Sequence, residues 1–285
     1  MGDVGTLSDF AGGFPQRRLS VRDFEILHRT KTVRFLAHFL RRLSVYGTLV
    51  RDQLRSAPAA RWVVLACVAV FLIQRISDRV ICTDGFSFGY VFLYGFGLCP
   101  PLLASGFLWQ PFTYLFLHGN LPHLLLNTLT ILLFGSGLEI EVGSRRFLRI
   151  FFLGGVVGGL AWAGFDLAVV RLAIGAWSAP GWALAIAGQA LAHRGVTPDG
   201  TAICIGASGG LFALIGAYAA LFPRRKIIVF IGWPITLRAR TVAILLGGLT
   251  VGFAVYGLGN VAYLTHLFGG LAGYVYGLCL GVRRT

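Results

Sequence analysis

The sequence predicts an all-α membrane protein: six transmembrane helices preceded by a basic N-terminal extension. Composition is the first reason, since 56% of the 285 residues are hydrophobic, only 13% are charged and mean hydropathy is +0.76. Soluble domains carry about 25% charged residues. The second is a series of apolar windows near 20 residues, the length that crosses a bilayer as a helix. The third is charge placement. The net charge of +14 sits in clusters outside those windows, which argues against nucleic-acid binding and for a positive-inside membrane topology.

The windows fall at about 58–77, 121–141, 147–170, 202–222, 241–258 and 260–281. Eleven of the 25 Lys and Arg residues precede Trp62. Arg145, Arg146 and Arg149 follow the second window, and Arg224, Arg225, Lys226, Arg238 and Arg240 follow the fourth. Arg283 and Arg284 close the chain. Only Arg75, Arg79, Arg171 and Arg194 remain for the opposite side. Both termini are therefore expected in the cytoplasm, with even-numbered helices running from outside to inside. Abundant glycine, 39 residues, suits close helix packing within lipid.

Residues 1–57 read as a separate cytoplasmic region and 58–284 as the membrane domain. Leu36, Leu40, Leu43, Gly47, Val50 and Leu54 recur at helical spacing among Arg34, Arg41, Arg42 and Arg51. Such a stripe suits an anionic inner leaflet or a partner helix, with plain disorder the alternative before Arg29. No apolar core with a small-residue cleavage site precedes Trp62, so a cleaved signal peptide is not expected. Between the first two helices lies a long aromatic loop, about 78–120, with Cys82 and Cys99 as candidates for a disulfide. The segment at about 171–201 contains a short apolar run, Trp177 to Ala192, and reads as an external interfacial or re-entrant insertion. The stretch Arg224–Arg240 reads as a cytoplasmic interfacial segment.

Chemistry is suggested by polar groups inside apolar windows. Ser208 lies in Gly206-Ala207-Ser208-Gly209 on the fourth window, and His266 lies on the sixth. Asn127 stands on the second, with His123 one turn earlier on the same face. Asn127, Ser208 and His266 each fall six residues past a window start, roughly 9 Å down at 1.5 Å per residue. A serine hydroxyl is a weak nucleophile until a base takes its proton, and His266 is the only histidine in the last two windows. An oxyanion formed there needs preorganised donors, which His123, Asn127 and the Ser208 N–H are placed to supply. No carboxylate lies in the fourth or sixth window, which points to a Ser-His dyad. Taken singly, Ser208 bonding back to a carbonyl, a packing histidine and an Asn clamp remain open readings. The cysteines and histidines show no metal-ligand spacing, and no metal or cofactor is expected. Glu139 and Glu141, at the end of the second window, read as partners of Arg145 and Arg146. The windows hold too few charges for a transport path.

These motifs resemble the rhomboid family of intramembrane serine proteases over about 58–284. The family's Gly-x-Ser-Gly is Gly206–Gly209, its His-x-x-Gly-x-x-x-Gly is His266–Gly273, and its His-x-x-x-Asn is His123–Asn127. The exit Gly137–Ser144 is also similar to the family's. The resemblance implies Ser208 as nucleophile, His266 as base, and His123 and Asn127 as oxyanion-hole side chains. It further implies transmembrane protein substrates cut near the external membrane surface, and a bacterial-type plasma membrane location. A non-proteolytic rhomboid-like client binder is the alternative. Two departures stand out. The family's Trp-Arg pair is Trp109-Gln110 here, so an Arg that braces the loop is expected to be missing, and Phe212 stands where many bacterial members have tyrosine.

Overall fold

The computed structural model describes residues 52, 55–80, 88–173, 202–231, 233–256 and 263–280, all within the unit Asp52–Thr285. The amphipathic stripe at 36–54 falls almost wholly outside these residues. The Trp177–Ala192 run and Cys82, hence the Cys82–Cys99 pairing, lie outside them entirely.

Among the described residues, four helices are long and apolar enough to cross a bilayer: α1 (Pro58–Ser77), α5 (Leu121–Val142), α6 (Ser144–Ala173) and α8 (Ala239–Tyr256). Two shorter helices complete the bundle, α7 (Ser208–Leu221) and α9 (Tyr263–Cys279). Between α1 and α5 the chain forms three short helices, α2 (Phe88–Phe96), α3 (Pro100–Ala104) and α4 (Gln110–Thr113). The outward faces of the long helices are leucine-rich, as at Leu125, Leu126 and Leu129 on α5 and Ile244, Leu245 and Leu249 on α8. Exposed apolar residues in these rows are what lipid requires, and they mark an integral multi-pass membrane protein.

The bundle is tightest where side chains are smallest. A Cβ added at Gly273 of α9 would lie 1.9 Å from the Ala213 carbonyl oxygen, and one at Gly216 of α7 2.0 Å from that of Gly270. Gly154 and Gly158 bring α6 equally close, against Ala213 and the Thr265 carbonyl. Backbones in contact replace the hydrophobic drive that lipid cannot supply between helices. Twelve of the 14 residues of α7 are buried, so it is the central helix.

The α7 boundary corrects the sequence expectation. The fourth window begins at 202, but the helix begins at Ser208, and Ala202–Ala207 is not helical. Leu98 and Cys204 exchange backbone hydrogen bonds of 3.0 and 2.9 Å, and the Gly206 N–H donates to the Tyr114 carbonyl at 2.9 Å. Non-helical backbone survives at this depth because protein, not lipid, satisfies its polar groups. Gly206 has φ +125°, a conformation L side chains rarely adopt, and it lies where the bridged segment leads into the helix.

Other elements also depart from expectation. The stretch after α7, expected among all-α elements, is an antiparallel hairpin, β1 (Lys226–Ile231) and β2 (Trp233–Arg238), favoured by the β-branched run Ile227-Ile228-Val229. Among the described residues, the glutamates at the end of α5 do not pair with Arg145 and Arg146. Glu141 pairs with Arg225, while Glu139, 2% exposed, accepts from the N–H groups of Ala59 and Ala60 at 2.8 and 2.7 Å. The Ser144 hydroxyl donates to the same carboxylate at 2.6 Å. A carboxylate at the N-terminus of α1 satisfies donors that no side chain of α1 caps. Glu139→Ala is therefore expected to destabilise the protein by about 2–4 kcal/mol, because the buried Ala59 and Ala60 N–H groups lose their acceptor. Equal thermal midpoints in detergent for variant and wild type would contradict this.

Candidate active site

Ser208 is the first residue of α7, and His266 is in the first turn of α9. Their contact follows from the glycine packing that holds α7 and α9 together. The Ser208 Oγ lies 2.8 Å from the His266 Nε2. Ser208 is half-buried. Phe212, one turn along α7, stacks on the imidazole with ring centroids 4.3 Å apart and planes inclined by 3°. That contact fixes the ring's plane without a tyrosine hydroxyl. No carboxylate is hydrogen-bonded to His266 among the described residues.

The opposite wall comes from α5. Its first turn is set by Asn120, whose side chain accepts from the His123 N–H at 2.8 Å, with Pro122 early in the helix. His123 and Asn127 then face the segment that leads into Ser208. A Cβ on Gly206 would meet the His123 Cε1 and Nε2 at 2.8 Å, and the Asn127 Nδ2 at 3.7 Å. Glycine is thus required twice at 206, by its φ and by this approach. Asn127 is 3% exposed, and its Nδ2 has no hydrogen-bond partner among the described residues. A buried amide donor left unspent is rare enough to call for an explanation.

The structure therefore gathers all four sequence-selected residues, though not by the expected register. Ser208 starts its helix rather than standing six residues inside it. A 14-residue helix is only about 21 Å long, short of a bilayer's ~30 Å hydrocarbon core. Non-helical residues 202–207 precede it, so Ser208 stands at the helix N-terminus beside His266.

Two residues go beyond the sequence reading, one expected to leave the loop unbraced and one passed over. Gln110, in place of the expected arginine, is fully buried; its Oε1 accepts from the Cys99 N–H at 3.1 Å and its Nε2 donates to the Tyr94 carbonyl at 2.7 Å. Trp109 Nε1 donates to the Gly95 carbonyl at 2.8 Å, so this pair braces the loop without arginine. The second is His118, fully buried, with its N–H on Gln74 Oε1 at 3.0 Å and its ring edge-on to His123 at 5.0 Å. The Nδ1 lies 3.1 Å from the Phe116 carbonyl, which makes it the protonated nitrogen. His118 stands five residues before His123, outside any helical pairing, so spacing offered no signal for it.

Burial pushes the His118 pKa down to about 4, with the His123 charge adding to the effect. The sign follows from proton uptake. The unfolded chain binds a proton near pH 6.5 that the folded chain refuses, so stability falls as pH drops from about 6.5 toward 4. At pH 4 the loss attributable to His118 is about 3 kcal/mol at most. His118→Gln should flatten the acid limb of a plot of thermal midpoint against pH. An unchanged limb would assign it to other groups.

The model described as the rhomboid domain matches residues 105–283. The chain is 29% identical over 171 residues to rhomboid protease GluP of Bacillus subtilis, a match covering 59% of this chain and 26% of that protein. It is 28% identical over 162 residues to the mitochondrial Rhomboid protein 1 of Saccharomyces cerevisiae, covering 57% and 39% respectively. Rhomboid-like protease 3 of Toxoplasma gondii is 40% identical over 60 residues, 21% of this chain and 23% of that protein. The chain thus matches well under half the length of these curated relatives. Because the domain match covers more than half of the chain and includes α5, α7 and α9, this protein belongs to the rhomboid family.

Proposed function

We propose that the protein is an intramembrane serine endopeptidase that cleaves transmembrane proteins near the external membrane surface through a Ser208–His266 dyad. The observation that carries this reading is the 2.8 Å contact between Ser208 Oγ and His266 Nε2, facing an unspent donor on Asn127. In this reading α7 and α9 also count as spans, giving six with both termini in the cytoplasm. The four basic clusters on one side support that topology. Residues 1–57 form a basic cytoplasmic extension, 58–284 the protease domain, and about 171–201 an external insertion. The membrane proposed is a bacterial-type plasma membrane, and the substrates are other membrane-spanning chains.

The geometry maps onto acyl transfer. His266 Nε2 takes the Ser208 proton as Oγ attacks the scissile carbonyl. The carbonyl oxygen becomes an oxyanion beside Asn127 Nδ2, His123 and the Ser208 N–H. The last belongs to the unpaired first turn of α7, whose dipole also favours negative charge. His266 then passes its proton to the departing amine, leaving an ester on Ser208. Water, deprotonated by the same imidazole, releases the second product and restores the hydroxyl. Among the protein's side chains, only Ser208 and His266 exchange protons in this sequence, and no metal is needed.

A fluorophosphonate probe tests the activated serine directly. Covalent labelling of Ser208 in folded, reconstituted protein is expected, with none in Ser208→Ala. Absence of labelling in folded wild type would overturn the protease reading in favour of a client-binding relative.

A further inference from the structure

The hairpin between α7 and α8 takes no part in the site described above. Its base lies at the end of α7 remote from Ser208. There the Ala239 N–H donates to the Arg225 carbonyl at 2.9 Å, and the Arg240 N–H to that of Pro223 at 3.3 Å. Arg225 pairs with Glu141 at the end of α5, its guanidinium 4.7 Å from the Phe222 ring centroid. These contacts tie the hairpin to the level at which three helices leave the bilayer.

The register gathers the cations at the base of the hairpin and places apolar residues beyond them. Directly opposed residues share a face, and faces alternate along the strand. Ile227 opposes Leu237 and Val229 opposes Ile235, apolar on both strands, and the same phase continues to Ile231 opposite Trp233. Lys226 opposes Arg238 at the base of the other face, both exposed, and that face continues with Ile228 opposite Thr236 and Phe230 opposite Pro234. Arg224 and Arg240 are exposed beside them. Ile235 is 41% exposed. A lone two-stranded ribbon is marginal in water and needs an apolar surface beneath it. Standing upright, six residues at about 3.3 Å each would carry its far end roughly 20 Å away from the bilayer. Lying flat, it puts the apolar face in the acyl boundary and the four cations at phosphate depth.

We propose that the hairpin Lys226–Arg238 is an interfacial anchor that binds anionic lipid in the leaflet where α7 ends and α8 begins. Its apolar face enters the acyl boundary, and Arg224, Lys226, Arg238 and Arg240 engage headgroup phosphates. Charge complementarity selects the partner: a basic base beside an apolar face fits an anionic lipid surface. The proposal does not depend on protease activity.

The test uses the full chain in phosphatidylcholine vesicles with and without phosphatidylglycerol. Trp233 emission is isolated by subtracting the spectrum of Trp233→Phe. With phosphatidylglycerol present, this component should be blue-shifted and quenched by lipids brominated near the headgroup end of the acyl chain. Quenching should weaken in phosphatidylcholine alone and in high salt. Reversing Lys226 and Arg238 to Glu should lower the preference for anionic vesicles by about tenfold or more. Hydrogen exchange on wild-type protein supplies a second measurement, with slower amide exchange over 227–237 in the anionic bilayer. An unquenched Trp233 component in both bilayers would overturn the proposal and leave the hairpin in water, open to a soluble partner. Equal quenching and equal exchange in the two bilayers would overturn the anionic-lipid assignment.

Discussion

Ser208→Ala is expected to lower cleavage of a reconstituted transmembrane substrate by about 10⁴-fold or more, while the thermal midpoint stays near that of wild type. The hydroxyl accounts for almost all of that loss, because Ala keeps the small first residue that α7 needs. His266→Ala should fall by a similar factor, since Ser208 Oγ has no other base within hydrogen-bond reach among the described residues. Residues that act as one unit do not contribute additively, so the double variant should be no slower than either single one. A double variant slower by the product of both factors would mean that the two groups act independently. A Ser208→Ala protein that cleaves at the wild-type rate would end the protease reading altogether.

Asn127→Ala should lower kcat by about 10²-fold or more with little change in KM, the signature of a donor used only when charge develops on the carbonyl. The resting state sharpens this prediction. Asn127 Nδ2 has no partner among the described residues, so removing it breaks no existing donor bond. Its loss should therefore cost activity far more than stability. A large fall in thermal midpoint with kcat intact would make Asn127 a packing residue. A raised KM with kcat intact would make it a substrate contact. His123→Ala should follow the same pattern more mildly, because that ring is only half-buried and water can replace part of its contribution.

Phe212 shows how a departure in sequence can leave geometry untouched. The stacking on His266 needs a flat ring at that position, and phenylalanine provides it. Gln110 shows the reverse case. An amide has both an acceptor and a donor, so it bridges Cys99 and Tyr94 where an arginine would only donate. Whether a substitution removes a brace depends on the partners it finds, and those are spread over the loop.

Several features were legible in the sequence alone. Hydropathy located the long helices to within about three residues, because an apolar run of spanning length has few alternatives in lipid. Motif spacing picked out Ser208, His266, His123 and Asn127, and abundant glycine pointed to close helix packing. Composition could not reveal that 202–207 is not helical, since buried helical and non-helical segments are equally apolar. That choice was made by Leu98 and Tyr114, about a hundred residues earlier in the chain, whose backbones satisfy the segment's polar groups. Long-range partners likewise decided the roles of Glu139, Gln110 and His118. Local periodicity determines which residues are helical and which face lipid. Only tertiary packing determines how deep a helix end sits, and here that depth brings the serine to the histidine.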